Sequence, residues 1–225
     1  MLDTSSPRDR IVTAALRAAE KNGWRDLSLG EIAAEAAIPL GELRSHFQAK
    51  AQILAAFSSA VDQAVIEKFP APTADAPRDR LFDVLLTRFE IMQPYKAAIA
   101  RIRNDLARSP AEAFAQLGPA LKSQYWMLAA AGISGEGGRG LMRAQGLAGV
   151  YRRAFTVWLE DDDPGMARTM AMLDRHLRRA ESIWRGLERI RGGLHNIGRS
   201  LRDRGKADRE RPAPDGAAPI AGGQI

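Results

Sequence analysis

The chain has 225 residues, no cysteine, three histidines and a formal charge of +6, and 45% of its side chains are hydrophobic. That length and apolar share suffice for a packed core, while the lack of cysteine excludes disulfides, thiolate zinc sites, iron–sulfur clusters and cysteine nucleophiles. His46, His176 and His195 are scattered, no apolar run approaches the ~20 residues of a membrane span, and MLDTSSPRDR lacks a signal peptide's apolar stretch, so no metal, no cofactor and a cytoplasmic location are expected.

Helical spacing runs through almost every segment and no stretch alternates like a half-buried strand, so the expected fold class is all-α. The first helix, about 8–22, sets Ile11, Ala15, Leu16 and Ala19 on one stripe and stops at Gly23, a residue suited to a left-handed terminator. Ser28 and Glu31 have capping-box spacing and open a second helix that buries Leu29, Ile32, Ala33 and Ala36. Pro39 is expected in the first turn of a short third helix, about 40–47, where its missing N–H would be unpaired anyway. Leu43 and Phe47, four apart, point to the core, which leaves Leu40, Gly41, Arg44, Ser45 and His46 to face outward.

A fourth helix, about 50–68, carries Ile53, Leu54, Phe57, Val61 and Val65 and ends at the proline-rich run FPAPTADAP. Further helices are expected at about 78–93, 95–108, 111–131, 138–160 and 164–185, with Pro119 kinking or splitting the third of these. The expected domains are 1–57, with helix 4 continuing to about 68, then 78–185, then a disordered tail over 192–225. Charge does not follow a simple nucleic-acid pattern: residues 1–57 hold seven basic and seven acidic side chains.

The stretch LSLGEIAAEAAIPLGELRSHFQAKAQIL closely resembles the DNA-binding domain of TetR-type transcriptional regulators, through Ile32-Ala33, Ala36, Ile38, Gly41, Leu43, His46-Phe47, Lys50 and Leu54. Small Ala33 and Ala36 allow close helix approach, and Gly41 keeps bulk off the outer face. The resemblance implies a helix-turn-helix whose DNA surface comprises Ser28, Pro39, Leu40, Gly41, Arg44, Ser45 and His46, with Lys50 on phosphate. It implies a homodimer on double-stranded DNA, responsive to a small apolar or lipid-like ligand, and no enzyme activity. Three positions depart from the pattern. Ala37 stands at the turn glycine and must avoid positive φ or accept strain; Pro39 replaces a capping hydroxyl; Arg44 replaces a tyrosine and can contact phosphate or guanine.

Residues 157–181, VWLEDDDPGMARTMAMLDRHLRRAE, together with Pro94-Tyr95-Lys96, resemble the TetR-fold lipid-binding accessory protein of ubiquinone biosynthesis, which implies an alternative without DNA binding. Phe89, Met92, Tyr125, Trp126, Tyr151 and Phe155 are the candidate ligand-pocket lining. The last two helices, with Val150, Val157, Leu159, Met166, Met170, Leu173, Leu177 and Trp184, are the candidate dimer pair. GEGGRG (135–140) matches a dinucleotide-loop letter pattern, but no strand precedes it, so an interhelical loop is expected. Asp161, Asp162 and Asp163 precede Pro164 and read as a helix cap rather than a cation site. No nucleophile with an orienting acid is recognisable around His46, which excludes it as a general base.

Overall fold

Local caps set the first elements. The computed structural model describes residues 5–70, 74–135, 137–183 and 186, and among them there is no strand. Helix α1 (Pro7–Asn22) starts at Ser6, whose hydroxyl accepts from Asp9 N at 3.1 Å, and carries Pro7 in its first turn. It ends at Gly23, whose φ of +87° favours glycine. Ser28 and Glu31 close the expected capping box at the start of α2 (Leu29–Glu35): Ser28 N donates to Glu31 Oε2 at 2.8 Å and Glu31 N to Ser28 Oγ at 3.2 Å. α3 (Leu40–His46) follows a turn in which Ala37 takes φ +54°. Pro39 is the residue before this helix rather than part of its first turn, and no side chain caps α3.

α4 (Lys50–Lys68) runs on from this trio and packs on α1, α5 and α8. α5 (Pro77–Met92) passes through a 3-10 turn at Gln93–Tyr95 into α6 (Lys96–Leu106). The helix expected over 111–131 is split into α7 (Pro110–Ala115) and α8 (Leu117–Ala130); Pro119 falls in the first turn of α8, where its lost N–H costs nothing. α9 (Gly137–Leu159) begins inside the glycine-rich stretch, so Gly137 to Gly140 are helical and only the part before them is interhelical. α10 is described over 167–183 and starts three residues later than Pro164 suggested. Its first turn is held by acids: Asp163 accepts from Gly165 N and Ala167 N, both at 3.1 Å, and buried Asp161 accepts from Thr169 N and Oγ1 at 2.8 Å. Asp161 and Asp163 of the acidic triplet thus act as caps, and no cluster of possible metal ligands occurs among the described residues.

The described residues up to 180 form one compact unit. Its apolar interior continues from Ile11, Trp24, Ile32, Leu43, Phe47 and Ile53 at the amino-terminal end into Leu85, Phe89, Met127, Trp158 and Leu173. Val150, Met166, Leu173 and Leu177, read as dimer-face residues, are buried inside this unit, whereas Met170 is exposed. Trp184 and the tail over 192–225 lie outside the described residues. No helix among the described residues is long and apolar enough to cross a membrane.

Candidate nucleic-acid interface

α3 is seven residues long, too short to be stable alone, so tertiary packing must hold it. Leu43 and Phe47 supply that packing, at 0% and 1% exposure. Each buried side chain of this size contributes about 1.5–3 kcal/mol. With those two turned inward, Pro39, Leu40, Gly41, Arg44 and Ser45 stand on the open side. Leu40 is 54% exposed, and nothing lies within 4 Å of where a Gly41 side chain would begin. Ser45 Oγ donates to Glu42 O at 2.7 Å, while Arg44 makes no hydrogen bond or ion pair with any described residue. His46 departs from the outward set. It is half-buried at the flank and lines a shallow groove of about 270 Å³ with Arg8, Phe47 and Gln52. Ser28 is exposed, with its hydroxyl engaged by Glu31.

The Lys50 ammonium is taken up by partners on the chain itself. Its ammonium donates to the carbonyls of Trp24 (2.9 Å) and Arg25 (3.0 Å), lies 5.3 Å from the Trp24 ring centre and pairs loosely with Glu112 at 4.0 Å. The same loop is also gripped by α6 and α7. Asp105 at the end of α6 accepts from Trp24 N at 2.7 Å and Arg25 N at 3.2 Å, and Trp24 Nε1 donates to Glu112 of α7 at 3.2 Å. The Trp24 N–H, followed by that of Arg25 and the cations Arg108 and Arg101, holds the Asp105 carboxyl below its ordinary pKa against the opposing effect of burial. A side chain at Gly23 would begin 3.1 Å from Asp105 Oδ2, so the close carboxylate adds to the φ of +87° in favouring glycine here. Sequence spacing gave no sign of this joint, because its partners are some eighty residues apart.

The six candidate pocket residues fall into two places. Phe89 stacks on Tyr151 (5.3 Å between centroids) and tilts on Trp158 (5.4 Å), and Phe155 contacts both Tyr151 and Trp158 at 5.9 and 5.6 Å. Met92 reaches the Tyr151 hydroxyl with its sulfur at 3.9 Å. These four fill space against each other. Tyr125 and Trp126 lie elsewhere on α8, in edge contact at 6.1 Å, and Trp126 is 42% exposed. Beneath the aromatic group sits a buried polar network. Arg88, 4% exposed, pairs with Asp62, 6% exposed, and donates to Tyr151 Oη at 3.0 Å and Ser58 Oγ at 3.2 Å; Ser123 Oγ donates to Asp62 at 2.7 Å. Burial alone would lower the Arg88 pKa, but its neighbours Tyr151 and Asp62 hold it above its ordinary value. Burial pushes the Tyr151 phenol up, so it is neutral near pH 7 and Asp62 supplies the countercharge.

An exposed short helix with an unpaired guanidinium, rigidly backed and free of bulk at Gly41, can enter a groove and donate to phosphate or base edges. Comparison with solved structures shows which fold carries this helix. A TetR transcriptional regulator from Nitrosomonas europaea superimposes with a TM-score of 0.61 at 21% identity, over 77% of this chain and 97% of that one. A TetR transcriptional regulator from Rhodococcus sp. RHA1 gives 0.52 at 20%, over 76% and 96%. A transcriptional regulator from Streptomyces coelicolor A3(2) gives 0.52 at 21%, over 76% and 98%. The fold is that of the TetR regulators. No family model and no curated protein matches the sequence. Within this TetR fold, α2 and α3 are the helix-turn-helix anticipated from the motif, and α4 links them to the remaining helices. The landmarks behind the ubiquinone-protein resemblance have local structural roles: Trp158 Nε1 donates to Gln93 at 2.9 Å, and Lys96 Nζ to Asp161 O at 2.6 Å.

Proposed function

We propose that the chain is a TetR-type, non-catalytic transcriptional regulator that binds a palindromic operator as a homodimer and is controlled by a small apolar ligand. The observation that carries this reading is the open face of α3, where Leu40, Gly41, Arg44 and Ser45 are unobstructed and Leu43 and Phe47 anchor the helix from behind. Arg44 reads or clamps the operator. Ser28, Pro39 and His46 flank that face. Because the Lys50 ammonium is occupied, the contribution of α4 to phosphate binding is assigned to the N–H groups of its first turn, which its Ala49 cap leaves without a side-chain partner. Two α3 helices of a dimer would fall about one DNA turn apart, or a multiple of it. A ligand that binds one spacing of those helices better than the other shifts the dimer on or off DNA. The division into a reading domain over 1–57 and an effector and dimer domain over 78–185 belongs to the same proposal.

The test is a mobility-shift assay on the DNA upstream of the chain's own gene at two salt concentrations. Arg44→Ala should weaken specific binding by about 1–3 kcal/mol, with its fold and dimer state unchanged. A wild-type protein that shifts no such DNA at either salt concentration overturns the reading. The lipid-handling alternative is favoured by one observation, the commitment of Lys50 to carbonyls in a helix-turn-helix without net charge. Lipid copurifying with the protein in native mass spectrometry, with no gel shift, would select it.

A further inference from the structure

Eight large hydrophobic side chains stand exposed among the described residues, and five of them, Phe114, Leu117, Trp126, Leu141 and Met142, fall between α7 and the start of α9. Single exposed apolar residues need no explanation, but a concentration of them does. One of the five, Leu141, lines a shallow groove of about 390 Å³ between α8 and α9, together with Leu121, Tyr125 and Ala144 and the side-chain-free Gly118 and Gly137. That volume lies at the lower end of small-ligand sites. Gly135 lets the Tyr125 ring close one end, since a side chain there would begin 2.5 Å from the ring.

Along the segment that forms this groove, basic side chains outnumber acidic ones. Between Glu112 and Glu160 the sequence carries Lys122, Arg139, Arg143, Arg152 and Arg153 against one acid, Glu136. Lys122 lines the groove and has no hydrogen bond or ion pair with any described residue. Arg143 is tethered to Ser134 O at 3.0 Å, on the loop that leads into α9. An apolar trough with a cation at its edge complements a hydrocarbon chain ending in an anion. At the interior candidate site Phe89, Tyr151, Phe155 and Trp158 are instead in contact with one another.

We propose that the α8–α9 groove binds a single-chain anionic amphiphile, with the chain over Leu121, Tyr125 and Leu141 and the head group at Lys122. For its regulatory consequence, though not for binding itself, this inference rests on the ligand-responsive reading given above.

The probe is sodium dodecanoate below its micelle concentration, titrated calorimetrically into the full-length protein. Saturable binding is expected, weakened at least tenfold by Leu141→Asp. Lys122→Glu should weaken dodecanoate several-fold and leave dodecanol unaffected, while Phe155→Leu in the filled interior should leave both unchanged. The site is wrong if Phe155→Leu moves affinity and Leu141→Asp does not, and the charge assignment is wrong if dodecanoate, dodecanol and a dodecyl ammonium bind alike. Cosedimentation with anionic phospholipid vesicles without binding of dodecanoate would overturn it in favour of a membrane-contact surface. Adding operator DNA separates the two levels. Dodecanoate that binds without changing the gel shift preserves the site and removes its regulatory role, whereas release in wild type but not in Leu141→Asp supports both.

Discussion

The helix-turn-helix end and the body behind it are both fastened by polar side chains, but over different distances along the chain. At the amino-terminal end the caps span three residues, Ser6 with Asp9 and Ser28 with Glu31, and inside that end the Lys50 ammonium reaches back 26 residues to Trp24. In the body they span 26 residues for Asp62 and Arg88, 65 for Gln93 and Trp158, and 96 for Arg78 and Asp174. Local caps start a helix; they do not position it. Long-range pairs fix how helices sit on one another, and the Asp105 and Glu112 grip on the Trp24 loop carries such fixing across to the reading end. A regulator needs both kinds, one to shape the probe and one to make its position answer to the rest of the fold.

The largest test of that contrast is Asp62→Ala. It leaves the Arg88 guanidinium in the interior without a countercharge and should cost about 3–5 kcal/mol in urea unfolding. Replacing both members, Asp62→Leu with Arg88→Met, should recover most of the loss, because two matched apolar groups strand no charge. A single variant within about 1 kcal/mol of wild type would show that the pair does not fasten α4 to α5.

A smaller effect is expected at the joint. Asp105→Ala removes the acceptor of two backbone N–H groups and should cost about 1–3 kcal/mol. The carboxyl has a lowered folded pKa, so its contribution is complete above the unfolded aspartate value and fades as pH falls through the folded one. The stability gap between wild type and Asp105→Asn should therefore narrow on acidification, and a gap independent of pH down to that range would contradict the ionised cap. If the joint also carries the ligand signal, Asp105→Asn should bind operator but respond less to ligand.

How much of this was legible beforehand follows from the same contrast. The α1 stop at Gly23, the Ser28 box, the inward pair Leu43 and Phe47 and the break near Pro119 all depend on spacings of a few residues, and they were visible as such. The partners of Lys50 and the filled state of the aromatic interior depend on which distant helices meet, which periodicity does not encode. One trace was present. Arg88 falls on the stripe of Leu81, Leu85, Phe89 and Met92, and Asp62 adjoins Val61 on α4, so two opposite charges occupied core phases and called for each other. His46 shows the limit of local spacing: the inward pair Leu43 and Phe47 left it with the outward residues, while at the end of a seven-residue helix it is half-buried and shares a groove with Arg8 and Gln52.

The smallest expected effect lies at Ala37, where local rule and structure disagree. An L-residue in the left-handed region costs about 1–2 kcal/mol, and at φ +54° Ala37 bears that cost. Glycine would remove it but would add back about 0.5–1 kcal/mol of unfolded-chain entropy. Ala37→Gly should therefore stabilise the protein by roughly 0.5–1 kcal/mol, read as a small rise in urea midpoint at unchanged m-value. The turn is set by backbone bonds on either side, Ala37 N to Ala34 O at 3.1 Å and Ile38 N to Ala33 O at 3.1 Å, so α3 should keep its bearing. Operator affinity should then rise little or not at all. A destabilised Ala37→Gly would mean that the alanine methyl contributes packing the exposed turn does not show, and that the rest of the fold, rather than the turn, dictates the angle between α2 and α3.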